Sequence, residues 1–211
     1  MPLLLHPSRR GHDRPSTRVD AAGRMSQGPG AGDPAPDAAL LDSTGASVRL
    51  SSFWERGPAV VVFLRYFGCP FCQMHVVQLR EDQEGFRQAG AKVVLIGQGS
   101  PEQGAGFCDR KHSPFPCLLD PDRSAYRAYG LSKGNIGVVL DPRVAVPFAR
   151  ANVRSETRQR GLRGGDLFQM PGTFVVDDRG VVRLAHRNRT IADSPPNRRL
   201  FEALASIRVG D

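Results

Sequence analysis

Residues 59–79 read AVVVFLRYFGCPFCQMHVVQL, and this stretch decides the fold. Residues 59–64 form an unbroken apolar run rich in β-branched side chains, which is typical of a strand buried on both faces. Gly68 permits a tight turn, and Pro70 suits the first turn of a helix, where its missing N–H costs nothing. The stretch therefore predicts a central strand that passes through a turn into a helix, with Cys69 at the junction.

The position of Cys69 before a helix start favours its thiolate. Free N–H groups and the positive end of the helix dipole stabilise a negatively charged sulfur there. Cysteines in such settings have pKa values of roughly 3.5–7.5 instead of about 8.5. Cys72 lies one turn further along the predicted helix, where its sulfur can attack whatever forms on Cys69. The pair is therefore typical of a redox-active dithiol. Half of a zinc site and two packed core cysteines are the alternatives, but a zinc site requires a second Cys/His pair.

The length, cysteine count and net charge of the chain limit its domain organisation, its compartment and its partners. The chain has 211 residues, four cysteines and a net charge of +8. The length suits one domain with a tail, and the few cysteines favour a reducing compartment, for which we expect the cytoplasm. The basic charge is compatible with an anionic ligand or nonspecific contact with nucleic acid. Because no basic helix stripe, helix-turn-helix or zinc-finger spacing accompanies it, we expect no specific nucleic-acid partner. No stretch approaches the length of a membrane span.

The chain divides into a tail and one domain. Residues 1–37 lack periodicity and predict a disordered N-terminal tail, within which Met25 is an alternative start to Met1. Residues 38–211 predict one domain with alternating strands and helices. The predicted elements are a hairpin over 39–53, strands at 59–64, 92–96, 115–119, 173–176 and 181–185, and helices over 70–89, 102–111, up to 129 and after 195–196. The segment 143–163 carries six arginines against one acid and predicts an irregular excursion.

Four local patterns carry a resemblance to a known family. They are Leu41-Asp42-x-x-Gly45-x-x-Val48-x-Leu50-Ser51, Gly68-Cys69-Pro70-Phe71-Cys72, Phe115-Pro116-x-Leu118-Leu119-Asp120 and Gly172-Thr173-Phe174-Val175-Val176-Asp177-x-x-Gly180. In this order and spacing, over about residues 38–207, the chain resembles the peroxiredoxin-like AhpC/TSA family of the thioredoxin-like superfamily. The resemblance implies an α/β thioredoxin-like, peroxiredoxin-type fold with a central mixed β-sheet flanked by helices.

The resemblance also implies a chemistry. A thiol-dependent peroxidase of this kind acts as an antioxidant: Cys69 attacks a peroxide oxygen or a disulfide sulfur, and Cys72 resolves the product as a disulfide. It needs no bound cofactor or metal, and an external thiol reductant of the thioredoxin or glutathione type resets the pair. A disulfide reductase of glutaredoxin or thioredoxin type without peroxidase activity stays open, as does a non-catalytic, redox-sensing binding module. The sequence also leaves open the assembly of two copies of the chain into a homodimer.

The chain departs from the family pattern around the peroxide. Peroxiredoxins typically place Thr three residues and Pro seven residues before the reactive cysteine, where this chain has Tyr66 and Val62. Pro171 and Gly172 stand where the family has an arginine before its late strand. The candidate substrate-binding residues are Arg65, Tyr66, Phe67, Pro70, Phe71, Gly172 and Thr173. Tyr66, Phe67 and Phe71 predict an aromatic surface beside the sulfur and a preference for bulky organic hydroperoxides.

The remaining cysteines and histidines carry weaker signals. Cys117 falls in a short buried strand and is expected to be a packed, inert thiol, whereas Cys108 is expected to be a partly exposed helix residue. A disulfide between them is the alternative. His75, three residues after Cys72, is expected to be an ordinary helix histidine rather than a catalytic base.

Overall fold

A mixed seven-stranded sheet forms the centre of the protein. The computed structural model describes residues 28–135, 137 and 165–209. The strands are β1 (Ala39–Leu41), β2 (Ser47–Arg49), β3 (Ala59–Phe63), β4 (Lys92–Gly97), β5 (Cys117–Leu119), β6 (Gly172–Val176) and β7 (Val182–Arg187). Their order in the sheet is β2-β1-β5-β4-β3-β6-β7. Strand β3 pairs parallel with β4 and antiparallel with β6. The predicted mixed sheet is confirmed.

Helices cover both faces of this sheet. They are α1 (Pro70–Glu81), α2 (Gln83–Gln88), α3 (Pro101–Arg110), α4 (Ser124–Ala128) and α5 (Asn197–Val209), with a 3-10 helix at Leu50–Phe53. Val60 and Val62 of β3 pack with residues of α1, α3 and α5, whereas Val61 and Phe63 pack with residues of α4 on the opposite face. The apolar run of β3 is therefore unbroken because both of its faces are covered.

The helix predicted from 70 to 89 is divided in two. α1 ends at Glu81, Asp82 lies between the helices, and α2 follows. The side chain of Asn197 donates 2.8 Å hydrogen bonds to the Gln78 carbonyl and to the Asp82 carboxylate. A side chain that donates a hydrogen bond to a helical carbonyl competes with the backbone N–H of the helix for that carbonyl and weakens the helical hydrogen bonding at that point. Beyond the break, the ring of Phe86 in α2 stacks on the ring of Phe201 in α5, with their centres 4.6 Å apart, so α2 packs against the last helix.

Residues 28–37 lie on the domain, although the sequence assigns them to the tail. The Gly32 N–H donates to the Val182 carbonyl at 2.8 Å, and the Ala35 N–H donates to the Gly180 carbonyl at 2.7 Å. The Gly28 backbone approaches Tyr129 so closely that a Cβ there would lie 2.5 Å from the Tyr129 backbone. These contacts correct the predicted boundary after residue 37. The segment docks through backbone groups, which apolar periodicity does not reveal.

Three predictions fall outside the described residues. They are the tail over residues 1–27, the choice between Met1 and Met25, and the arginine-rich segment 143–163. In the part of the chain that the structure describes, no helix is long and apolar enough to cross a membrane.

Candidate active site

Cys69 occupies the N-cap position of α1, at the junction that the sequence predicts. Its backbone is extended, with φ −70° and ψ 119°, and Pro70 is the first residue of the helix. The Cys69 N–H donates to the Tyr66 carbonyl at 3.1 Å, and the Gln73 N–H donates to the Cys69 carbonyl at 3.0 Å. Both sulfurs are enclosed, since Cys69 is 0% exposed and Cys72 is 4% exposed.

The two sulfurs are electrostatically unequal. Burial raises the pKa of Cys69, but hydrogen bonds from the Cys72 thiol and the Cys72 N–H, together with the charge of Arg65, outweigh burial and lower the pKa to about 7. The pKa of Cys72 lies well above its usual range, first because its thiol donates to Cys69 and second because it is buried. The arrangement therefore favours the thiolate on Cys69 and the proton on Cys72.

Arg65 lies between β3 and the Cys69 turn and interacts with both sulfurs, with Cys69 through its charge and with Cys72 through its backbone N–H. Its guanidinium is buried, its Nε donates to the Leu167 carbonyl at 2.6 Å, and its Cζ lies 5.4 Å from the centre of the Tyr66 ring. Its backbone N–H donates to Cys72 Sγ at 3.2 Å. A fixed guanidinium in a buried site stabilises a nearby negative charge.

Side chains from other elements hold the carbonyls of this turn. The Tyr126 hydroxyl donates to the Leu64 carbonyl at 2.5 Å, and the Gln73 amide donates to the Phe67 carbonyl at 3.3 Å. Gln98, which follows β4, donates to the Arg65 carbonyl and exchanges two hydrogen bonds with the Asp166 backbone. Sequence reasoning missed these three side chains. The one available signal was Gln98 itself, a polar residue directly after a buried strand that runs parallel to β3.

The aromatic residues of the turn do not form the surface that the sequence predicts. Tyr66, Phe67 and Phe71 are 3%, 6% and 2% exposed and belong to the core cluster on the α1 face of the sheet. The Phe67 ring packs on Gly97, where a Cβ would lie 2.3 Å from it, and 5.0 Å from the Phe107 ring of α3. The rings therefore support the turn from within.

The phenol of Tyr66 interacts electrostatically with the Cys69 sulfur, although its ring is buried. Burial, and secondarily the negative charge of Cys69, raise the pKa of Tyr66 to about 12. Its phenol is therefore protonated at neutral pH. Where the family pattern has a threonine, this chain thus retains a hydroxyl group that can donate a hydrogen bond.

Gly172 and Thr173 lie beside the end of β3. They begin β6, and their backbones pair with Phe63 and Val62. Both residues are buried. Their register places them at the edge of the sheet that leads into the Cys69 turn, and their predicted contact with substrate stays a prediction.

His75 lies on α1 and is buried. Burial, with a contribution from the charge of His186, lowers the pKa of His75 to about 4, so the ring is neutral at physiological pH. Among the described residues, no group of three or more His, Cys, Asp or Glu side chains could hold a metal ion.

Cys108 and Cys117 are joined by a disulfide, with their Cα atoms 6.7 Å apart. The expectation of an inert Cys117 thiol is therefore wrong, and the alternative of a second disulfide is the one observed. Whether α3 faces β5 at these two residues depends on long-range packing, which the spacing of cysteines along the chain does not report.

Comparisons with known proteins agree with this geometry. The family model described as the AhpC/TSA family matches residues 31–185. A putative peroxiredoxin from Mycobacterium tuberculosis is 30% identical, over 74% of this chain and 84% of that protein. Human peroxiredoxin-like 2C is 28% identical, over 80% of each chain.

The fold has solved counterparts. The crystal structure of peroxidoxin BcpB from Mycobacterium tuberculosis is similar, with a TM-score of 0.62 and 23% identity, over 87% of this chain and 99% of that chain. A peroxiredoxin-like protein from Aquifex aeolicus has a TM-score of 0.60 and 16% identity, over 85% of this chain and 90% of that chain. With the family model matched over most of the domain and a dithiol at the helix start, the chain belongs to the AhpC/TSA family and is a peroxiredoxin-like, thiol-dependent oxidoreductase.

Proposed function

We propose that this protein reduces peroxides by a two-cysteine cycle at Cys69 and Cys72. The Cys69 thiolate attacks one peroxide oxygen and breaks the O–O bond, which gives a Cys69 sulfenic acid and an alkoxide or hydroxide that takes up a proton. The Cys72 sulfur then attacks the sulfenic sulfur, a disulfide forms and water leaves. Two electrons from an external dithiol, or from two monothiols, restore the pair.

The observation that carries this proposal is the placement of Cys69 at the N-cap of α1 with Cys72 one turn further along, where hydrogen bonding with the Cys72 thiol lowers the pKa of Cys69. This hydrogen bonding stabilises the Cys69 thiolate before the reaction and keeps Cys72 protonated. When Cys69 becomes a neutral sulfenic acid, the contribution that most strongly raises the Cys72 pKa is lost. The N–H groups of Arg65 and Tyr66, which lower that pKa, remain in place. Oxidation of Cys69 therefore activates Cys72 as the resolving nucleophile.

The polarising groups differ from the family pattern. We propose that Arg65 supplies the positive charge beside the thiolate and that the protonated Tyr66 hydroxyl acts where the family has a threonine. The charge of Arg65 lowers the Cys69 pKa, and Tyr66 interacts electrostatically with both groups. Pro70 begins the helix whose N-terminal amides face the sulfur, and Gly172 and Thr173 complete the edge of the site.

The cellular setting is proposed on chemical grounds. A dithiol at Cys69 and Cys72 works only where a thiol donor keeps it reduced, so we propose an antioxidant role in a reducing compartment such as the cytoplasm. The donor would be a thioredoxin-type protein or glutathione. A homodimer would suit a small domain of this kind, and the molecular mass in solution decides it.

The test compares three substrates with the fully reduced protein. Hydrogen peroxide, an organic hydroperoxide and oxidised glutathione are mixed separately with the protein, and thiol loss and the disulfide formed are followed by mass spectrometry. Turnover is then measured with a thioredoxin and thioredoxin reductase system and with glutathione. We expect peroxide consumption and a Cys69–Cys72 disulfide. Turnover with disulfides alone would indicate a disulfide reductase, and oxidation without turnover would indicate a binding module.

A further inference from the structure

The register between α3 and β5 places two cysteines opposite each other. Gly104 of α3 meets Leu119 of β5, where a Cβ on Gly104 would lie 2.9 Å from the Leu119 side chain. Cys108 is one helical turn after Gly104, and Cys117 is two residues before Leu119 on the same face of its strand. The two cysteines thus form the next contact along the same interface. Their Cα separation of 6.7 Å lies within the range of about 4.4–6.8 Å that disulfides span.

The elements that carry these cysteines are held by contacts other than the disulfide. The end of α3 is closed by hydrogen bonds from the Lys111 N–H to the Phe107 carbonyl and from the Ser113 N–H to the Cys108 carbonyl. Strand β5 pairs with β4 on one side and with β1 on the other. Because these bonds do not involve sulfur, the two cysteines stay opposite each other when they are reduced. The disulfide links positions that the fold already brings together.

The two sulfurs differ in access. Cys108 is partly exposed on the helix, whereas Cys117 is 9% exposed within the sheet. Cys69 and Cys72 are enclosed in a different turn, at the start of α1. An external thiol therefore reaches Cys108 Sγ more easily than the other three sulfurs.

We propose that Cys108 and Cys117 form a second redox site, a dithiol–disulfide couple that exchanges with external thiols independently of Cys69 and Cys72. A thiolate of the donor attacks Cys108 Sγ, the Cys108–Cys117 bond breaks, and Cys117 leaves as a thiolate that takes up a proton. A second donor thiol attacks the mixed disulfide, which releases the Cys108 thiol and an oxidised donor. An oxidised thiol such as oxidised glutathione reverses both steps.

This couple lies behind the active-site turn. Phe107, the residue before Cys108, packs its ring 5.0 Å from that of Phe67, whose carbonyl is held by Gln73. Because Phe107 and Cys108 are neighbours in α3, the second couple lies next to a ring that packs behind the Cys69 turn.

The test uses the full chain with both Cys69→Ser and Cys72→Ser, so that only the second pair can react. The protein is equilibrated in mixtures of reduced and oxidised glutathione, and its thiols are counted by mass spectrometry after alkylation. Far-UV circular dichroism is recorded on the same samples. We expect two thiols per chain to appear and disappear reversibly with an unchanged helical signal. A bond that opens only in denaturant, one whose reduction melts the protein, or thiols that never pair would each overturn the proposal.

Matched single-cysteine variants test the predicted entry point. In the same background, Cys117→Ser leaves Cys108 as the one remaining cysteine, and Cys108→Ser leaves Cys117. We expect the chain that retains Cys108 to form a mixed disulfide with oxidised glutathione at least about ten times faster, because its sulfur is the more accessible. Equal rates, or a faster reaction at Cys117, would overturn the proposed entry at Cys108.

Discussion

The backbone N–H of Arg65 donates a 3.2 Å hydrogen bond to the Sγ of Cys72. The same residue's side chain contributes the positive charge that lowers the pKa of Cys69. Arg65 therefore acts on one sulfur through its backbone and on the other through its guanidinium. A substitution removes only the second of these contributions, so the two roles can be separated by experiment.

Replacement of Arg65 by Met should raise the pKa of Cys69. In the unmodified protein this pKa is about 7, so the rate of Cys69 alkylation should rise with pH to a midpoint near 7 and then level off. Without the guanidinium the midpoint moves to higher pH, because the thiolate loses an attractive charge. We expect alkylation at pH 7 to slow by roughly three- to tenfold and the plateau at high pH to be unchanged.

The measurement is the pH profile of iodoacetamide labelling on the Cys69 peptide. Arg65→Lys is the matched control, since it keeps a positive charge but loses the planar donor to the Leu167 carbonyl. Its midpoint should stay below that of Arg65→Met. An unchanged midpoint in Arg65→Met would assign thiolate stabilisation to the hydrogen bonds of Cys72 and Phe71 alone.

Replacement of Cys69 and replacement of Cys72 should have different effects on the thiol reactivity of the site. Cys69→Ser should abolish fast thiol reactivity at neutral pH, because it removes the sulfur whose pKa is lowered to about 7 and leaves a Cys72 thiol whose pKa burial still raises. Cys72→Ser should leave a reactive Cys69 that accumulates as a sulfenic acid or a mixed disulfide. A sulfenic-acid probe with mass spectrometry distinguishes these products. Fast alkylation retained in Cys69→Ser and lost in Cys72→Ser would reverse the assigned roles.

Two truncated chains should show that residues 28–37, and not the residues before Met25, contribute to the stability of the domain. A chain beginning at Met25 retains the hydrogen bonds of Gly32, Asp33 and Ala35 to the β6–β7 hairpin and should melt like the full chain. A chain beginning at residue 38 loses them, at about 1 kcal/mol for each net hydrogen bond. We expect its melting temperature to fall by several degrees. Equal melting of the two chains would show that the docked segment contributes little to stability.

Local signals were sufficient for the centre of the fold and for the position of the dithiol. The apolar run before Gly68 and the proline after Cys69 predict β3, the turn and the start of α1, because each depends on neighbours in sequence. The break at Asp82 depends instead on Asn197, 115 residues further along the chain. No periodicity within the helix reports a side chain that arrives from elsewhere.

The same limit explains the errors at the site. Gln98 reaches the Arg65 carbonyl from the position directly after β4, and Cys108 meets Cys117 across a helix–strand interface. Phe67 points into the core because Gly97 leaves room for its ring. Composition identifies an aromatic turn, but the direction of each ring is set by which neighbours lack a side chain.

The room at Gly97 yields a steric test. Gly97→Ala places a Cβ 2.3 Å from the Phe67 ring, so the ring and the turn that carries it must shift. Overpacking of this kind costs about 1–3 kcal/mol of unfolding free energy. Gly106→Ala is the control, since its Cβ meets only the flexible end of Arg110 at 3.0 Å. Urea unfolding should show a loss for Gly97→Ala only, and Cys69 labelling should change with it.

The buried rings also change the expected preference among peroxides. A bulky hydroperoxide would gain from an aromatic surface beside Cys69, but Tyr66, Phe67 and Phe71 are buried in the core and Cys69 itself is 0% exposed. An enclosed sulfur favours the smallest peroxide, which needs the least displacement of the turn. We therefore expect hydrogen peroxide to oxidise Cys69 at least as fast as a long-chain hydroperoxide, contrary to the preference that composition predicts.

Stopped-flow oxidation of Cys69 at one pH decides the matter. Hydrogen peroxide, tert-butyl hydroperoxide and a long-chain hydroperoxide are compared on the same reduced protein, so that size and chain length vary separately. Rates that fall from the first to the third support an enclosed pocket. A long-chain hydroperoxide that reacts about ten times faster than hydrogen peroxide would show that the turn opens during the reaction and exposes its rings, since apolar contact area adds to affinity.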